Sequence, residues 1–391
     1  MKITSQKQPK LILLIVILFW FAQYVYIPYQ TPYLAAINVS TNFVGMIVGA
    51  YGISQLLLRL PVGVMADLRG NHKFFITIGV LLAGFASLIR IISPDGVGFL
   101  VANILSGFAS ATWISFMVLY LSYFSKLQQT SATSKIIMAN NLGMLLGFIT
   151  STLLFNMLGM QIICLFSLLA GLIGFGFSLF IINQKSQPSA IKLRELLQIG
   201  KNRRLLLFSL LALIQQGIQM STTMSFTNQI IQTLSGSSLL VGISSIIYMV
   251  AAVFFARLAS TDFINRLPKK NWIILSFILL AVYCVAVPLS PSVGLIYVLQ
   301  LIPGMATGIL FSLLTSEAMM EVPAEKKSTA MGFFQAIYAI GMTLFPIIAG
   351  TLNDSFSMTT AYFFLGFMAL LAGSSFYVYG KVGEKLGWES Y

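Results

Sequence analysis

Twelve apolar runs, each at least roughly 18 residues long, decide what this chain can fold into. Lipid offers no partner for backbone N–H and C=O groups, so a run of that length must cross a bilayer as a helix. The runs fall at 11–36, 43–66, 74–93, 97–124, 133–156, 160–183, 205–230, 238–260, 272–290, 294–318, 328–351 and 360–381. The first, from Leu11, is too long for a signal-peptide core and lacks a small-residue cleavage site, so it is expected to remain as a span. Charged residues make up only 8% of the 391 positions, against about 25% in soluble domains. The predicted class is an all-α integral membrane protein of twelve transmembrane helices.

The net charge of +13 is not a nucleic-acid signature here. Lys and Arg gather at the termini and in alternate loops, and the other set of loops carries none. This positive-inside pattern predicts a multi-pass protein of the plasma membrane with both termini in the cytoplasm. Cys164 and Cys284 both lie in apolar segments and form neither a disulfide framework nor a metal site. No cofactor is implied.

The chain repeats itself. Val44-Gly45 with Tyr51 matches Val241-Gly242 with Tyr248, and Arg59-Leu60 matches Arg257-Leu258. Gly107, Ala109 and Ala111 match Gly304, Ala306 and Gly308, and Gly143-Met144 matches Gly341-Met342. The offset stays at 197 or 198. Between the halves runs the longest polar stretch, with Pro188 and six basic residues; Leu193, Leu196 and Leu197 share one face of a helix expected to lie on the membrane surface. The predicted organisation is a six-span half over 1–183, a linker with this amphipathic helix over 184–204, and a second six-span half over 205–391, the halves forming two pseudo-symmetric bundles around a central cavity. Parallel six-span repeats are a transporter architecture.

One loop sharpens the reading. Gly63 to Lys73 reads GVMADLRGNHK between spans two and three. With the duplicated halves and the basic central stretch, the chain is similar over nearly its whole length to the major facilitator superfamily, whose loop motif reads Gly-x-x-x-Asp-basic-x-Gly-x-basic-basic. Gly63, Asp67, Gly70, His72 and Lys73 match in place, and Leu68 departs where a basic residue is expected. The resemblance implies a conformational lock in which Gly63 allows close helix approach, Asp67 faces the N-terminus of span eleven near Ser328, Gly70 permits the turn, and Lys73 with the other basic residues meets lipid headgroups. The second-half copy has Asn265 for Asp67 and Pro268 for Gly70, so the lock is expected to be one-sided. Drug-exporting relatives carry an Arg four residues before a Gly in span four; Asn103 holds that position before Gly107, with Gln300 before Gly304 as its mate. They also carry a Gly-Pro pair in span five, where Gly147 is followed by Phe148. The exporter signature is therefore partial.

Ionisable residues inside a bilayer are costly and mark function. The candidates are Arg59, its mate Arg257, and Glu317 at the end of span ten. Arg90 is expected to snorkel outward from the outer end of span three. No Asp or Glu lies centrally in any span. A proton is the candidate coupling ion, acting through Glu317 or through Asp67 with Arg59; the alternative is transport without coupling. The resemblance implies a cavity drawn from spans one, four, seven and ten. Their polar residues are Gln23 and Tyr26, Asn103 and Trp113, Gln216, Gln219 and Thr223, and Gln300. Amides and aromatic rings of this kind suit a small organic solute bound by hydrogen bonds and stacking. The expected function is secondary transport by alternating access, with export of an amphipathic or drug-like compound ahead of uptake or facilitated diffusion of a neutral metabolite. A membrane-embedded lipid-processing enzyme would need clustered acids, a metal site or a His base, and the lone His72 sits in the loop motif. The expected partners are the lipid bilayer and the small-molecule substrate, with the chain acting as a monomer.

Overall fold

The computed structural model describes residues 7–69, 71–124, 129–182, 200–259, 262–322 and 327–385. Every regular element among them is helical. In chain order these are α1 (Gln8–Tyr24), α2 (Ile27–Ala36), α3 (Thr41–Arg69), α4 (His72–Ile92), α5 (Gly96–Ala111), α6 (Trp113–Leu121) and α7 (Gln129–Ser178). There follow α8 (Arg203–Ser221), α9 (Thr227–Ser235), α10 (Ser238–Ala259), α11 (Lys269–Ala286), α12 (Val293–Leu299), α13 (Leu301–Met305), α14 (Phe311–Ala318), α15 (Lys327–Ser355) and α16 (Met358–Lys385).

Eleven helical stretches among the described residues are long and apolar enough to cross a membrane. The twelfth is hidden in α7. Its 50 residues would extend about 75 Å as one rod, more than twice the roughly 30 Å hydrocarbon core. The rod breaks at Gly159, whose φ of 73° and ψ of 178° suit glycine alone. Gly159 falls between the fifth and sixth apolar runs, so α7 is two spans and the twelve-helix fold holds.

The helices gather into two compact units: Met1–Val39 with Ala50–Ile199, and Ser40–Gly49 with Gly200–Tyr391. In the first, α1 and α4 both pack on α7, and α4 packs on α5. In the second, α8 packs on α15 and α11 on α16. The first turn of α3 belongs to the second unit, where Asp354 accepts from the backbone N–H of Thr41 and of Asn42 at 3.1 and 2.7 Å. Most of the expected linker, with its surface helix, lies outside the described residues. Its end is set by Asn202, whose Oδ1 caps α8 through the Leu205 N–H at 2.8 Å.

The sequence repeat is a repeat of contacts. A Cβ at Gly107 would stand 2.5 Å from the Tyr51 carbonyl oxygen, and one at Gly304 would stand 3.1 Å from that of Tyr248. A Cβ at Gly143 would meet the Ile17 carbonyl oxygen at 2.5 Å, and one at Gly341 that of Leu213 at 2.0 Å. In each unit, therefore, the same two glycines let backbone touch backbone, the close approach that holds membrane helices together by packing.

Candidate functional site

Spans one, four, seven and ten share a property that separates them from the rest: their helices are interrupted. Span one breaks at Val25–Tyr26 between α1 and α2, and span four at Thr112 between α5 and α6. Span seven passes through a π-turn at Thr222–Phe226. Span ten breaks at Gln300 and again in a π-turn at Ala306–Leu310. Local chemistry explains each break. Pro28 and Pro303 lack the N–H that would bond the carbonyls of Tyr24 and Leu299. The Thr112 hydroxyl takes the Ala109 carbonyl at 2.7 Å. In span seven three consecutive hydroxyls, Ser221, Thr222 and Thr223, bond back to the carbonyls of Gly217, Ile218 and Gln219 at 2.8–3.0 Å, which loosens the helical ladder. π-turns and interrupted spans recur where membrane proteins bind small ligands.

At these breaks each unit builds a triad of a glutamine, a tyrosine and a hydroxyl residue, centred on the hydroxyl of Ser110 in one and on that of Tyr248 in the other. In the first, Gln23 Nε2 donates to Ser110 Oγ at 3.0 Å, and the Tyr51 hydroxyl bonds that Oγ at 2.8 Å. In the second, Gln219 Nε2 donates to the Tyr248 hydroxyl at 2.6 Å, which bonds Thr307 Oγ1 at 3.0 Å. Tyr51 and Tyr248, and Ser110 and Thr307, are repeat mates at an offset of 197, and Gln23 and Gln219 stand one residue out of that register. Sequence reasoning picked both glutamines but missed Ser110 and Thr307. The signal was present in the repeat offset, which carries Ser110 onto Thr307.

The largest departure from expectation is Arg90. It does not snorkel outward. It is 1% exposed, because a helical side chain leans toward its own N-terminus, which here is into the span. Its Nη2 donates to Tyr26 Oη at 2.9 Å, Asn103 Oδ1 at 2.8 Å and Ser106 Oγ at 3.0 Å, and Nη1 donates to Ser87 Oγ at 3.2 Å. The guanidinium carbon stands 3.8 Å over the Tyr26 ring. A guanidinium is thus delivered to Asn103, the position where exporters carry their own Arg, from the neighbouring helix. Insertion scales put an Arg at mid-span at about 2.5–3.5 kcal/mol. The mate of Asn103, Gln300, meets no cation: its Oε1 accepts from the Tyr283 hydroxyl at 3.4 Å and its Nε2 donates to Ser244 Oγ at 2.8 Å.

The remaining expected residues are placed as follows. Trp113 opens α6 and packs edge-on to Trp20 at 5.4 Å. Gln215, rather than Gln216, reaches Gln219, at 3.2 Å; Gln216 is half-buried on the adjoining face. Arg59 is buried, and Arg257 is exposed on the last turn of α10. Glu317 is clamped by two cations, Arg204 Nη2 on Oε2 and Lys269 Nζ on Oε1 at 2.7 Å. Of the expected lock, Gly63 and Asp67 lie in the last turns of α3, and Gly70 lies outside the described residues. Lys73 donates to the Leu179 carbonyl at 2.8 Å, while His72 is buried at the start of α4 and does not reach the surface.

Comparison with known proteins agrees with this architecture. The profile described as Major Facilitator Superfamily matches residues 12–261 and 219–388. An uncharacterized MFS-type transporter of Methanocaldococcus jannaschii is 22% identical over 359 residues, covering 88% of this chain and 91% of that protein. Among solved structures, the nucleoside transporter NupG superposes with a TM-score of 0.76 at 15% identity, covering 96% of this chain and 99% of that one. The human organic anion transporter MFSD10 superposes with a TM-score of 0.69 at 14% identity, covering 96% and 100%.

Proposed function

Because the chain belongs to the major facilitator superfamily and is a membrane transporter rather than an enzyme, we propose that it moves a small organic solute by alternating access, with the interrupted spans supplying the binding groups. One observation carries the reading. Gln23, Tyr26, Trp113, Gln219, Thr223 and Gln300 all lie within three residues of a helix break, and all belong to the four spans that the family resemblance assigns to the cavity. Unwound backbone frees carbonyls and side-chain donors for a ligand that an intact helix would keep to itself. The solutes of the two structural neighbours, a nucleoside and organic anions, are of the size such groups can hold.

Export of an amphipathic compound is the proposed direction, supported by the partial exporter motifs. The neutral Gln–Tyr–hydroxyl triads favour a second reading, uptake or facilitated diffusion of a neutral metabolite. The loop of Gly63, Asp67, Gly70 and Lys73 is the proposed lock, in a plasma-membrane protein with cytoplasmic termini.

The test is a solute panel screened for thermal stabilisation of the purified protein. A ligand at one hundred times its Kd adds about 2.7 kcal/mol by mass action. The Gln219→Ala variant, which cannot reach the Tyr248 hydroxyl, is expected to lose that shift. An undiminished shift would assign Gln219 to interhelical bonding and remove it from the binding site. Direction follows from whether cells expressing the protein accumulate or shed the stabilising solute.

A further inference from the structure

We infer that Arg90 is the anchor for a negatively charged group on the transported solute, which makes that solute a small organic carboxylate. The inference rests on the transporter reading proposed above and narrows its substrate class.

Four observations carry it. First, the buried guanidinium is held only by neutral groups: Tyr26, Asn103, Ser106 and Ser87. No ion pair among the described residues involves Arg90. A buried charge is stable when it is paired, and dipoles alone leave its field uncompensated. Second, the fold does not require a cation there. The other unit makes the equivalent tie to Gln300 with the neutral hydroxyl of Tyr283, and the residue one repeat offset after Arg90 is Val287. The duplicated architecture is its own control, and charge was placed in one half only.

Third, hydrogen-bonding capacity around Arg90 is left over. Arg90 Nε, a buried donor, has no partner. Gln23 is joined to the Arg90 cluster through Ser106, whose carbonyl accepts from Gln23 Nε2 at 2.9 Å and whose hydroxyl accepts from Arg90. An unused guanidinium N–H is the donor a carboxylate consumes. Fourth, two of the neutral acceptors, Tyr26 and Asn103, stand on interrupted spans. A carboxylate entering along those spans replaces their dipoles with charge-assisted bonds, which are roughly twice as strong as neutral ones. The aromatic group of Trp20, Trp113 and Phe19 on the same two spans offers apolar surface to the organic body of the ligand.

The test uses the purified full-length protein in detergent at neutral pH, with benzoate and indole-3-acetate as probes and their uncharged partners, benzamide and indole-3-acetamide, as controls. Wild-type protein is expected to be stabilised by the carboxylates and not by the amides. Arg90→Gln is expected to lose the effect. Because that variant could also unfold, the decisive one is Asn103→Asp, which sets a carboxylate 2.8 Å from Nη2 in place of the amide oxygen. It supplies the missing counter-ion from within. A protein that melts at or above the wild-type temperature yet binds the carboxylates about tenfold more weakly or worse supports anion anchoring. Undiminished carboxylate binding in Asn103→Asp, equal binding of acids and amides, or no stabilisation by either carboxylate overturns it. A neutral solute that stabilises wild type and fails with Gln219→Ala would leave the transporter reading intact while this inference falls.

Discussion

Replacing Glu317 by Gln separates two roles that a carboxylate at the end of a span can play. The side chain is 5% exposed, with Oε2 on Arg204 Nη2 and Oε1 on Lys269 Nζ at 2.7 Å. Gln keeps the size, but one of its two termini becomes a donor and cannot face a cation. One charge-assisted bond is lost and the other becomes a charged donor on a neutral acceptor. A hydrogen bond to a charged group contributes about 1.5–3 kcal/mol, against roughly 1 for a neutral one. Lys269 is 47% exposed, so its share falls to the surface-pair level of about 0–1 kcal/mol. Arg204, at 11%, carries most of the loss. Glu317→Gln should therefore cost about 2–3 kcal/mol. Glu321 is the internal control: it is 53% exposed and 3.3 Å from Arg204 Nη1, so Glu321→Gln should cost less than about 1 kcal/mol. Thermal unfolding in detergent reads both, with the midpoint of Glu317→Gln several degrees lower and that of Glu321→Gln close to wild type. Equal midpoints for the two variants would refute the clamp. In proteoliposomes the Glu317→Gln protein should keep whatever dependence on a proton gradient the wild type shows. A folded variant that has lost the dependence would show that the carboxylate is a proton site and not a strut.

Two further expectations follow from the geometry. Gly341→Ala places a methyl 2.0 Å from the Leu213 carbonyl oxygen and should destabilise by about 1–3 kcal/mol through overpacking, whereas Gly366→Ala, whose nearest neighbours stand at 3.4 Å, should melt close to wild type. Asp95, between two spans, accepts from the Gly98 N–H at 2.8 Å and from Ser93 Oγ at 3.0 Å, and these bonds hold its carboxyl below its usual value. A depressed folded value stabilises above the unfolded pKa of about 4 and loses that contribution as pH falls through the folded one. Melting temperature measured across that acid range should therefore decline less steeply in Asp95→Asn, which retains a capping oxygen, and an unchanged profile would show that the Asp95 cap does not titrate in the folded protein.

Much of the fold was legible because it depends on local and periodic properties. Apolar run length marks the spans, since a continuous apolar run can satisfy its backbone in lipid only as a helix. Pro28, Pro303 and the Ser221-Thr222-Thr223 run foretell where spans one, ten and seven break, because a missing N–H or a competing hydroxyl acts within one turn. The repeat offset predicts that Gly107 and Gly304, and Gly143 and Gly341, do the same work. What stayed hidden was partner choice. Gln219 donates to the Tyr248 hydroxyl 29 positions away, and only the packed helices bring that pair together.

Arg90 and Glu317 show where the division falls. The sequence alone determined that each is a charge near the end of a span, with its helix, its neighbours along the chain and the cost of burying it. Only the tertiary structure decided that Arg90 turns inward to Tyr26, 64 positions away, and that Glu317 meets Arg204 across 113 positions. A charged side chain can settle in water, in headgroups or among dipoles, and the outcome depends on which neighbouring helix comes close enough to satisfy it. That closeness is set by small residues packing backbone against backbone, a property of helix pairs that no single helix carries in its own sequence.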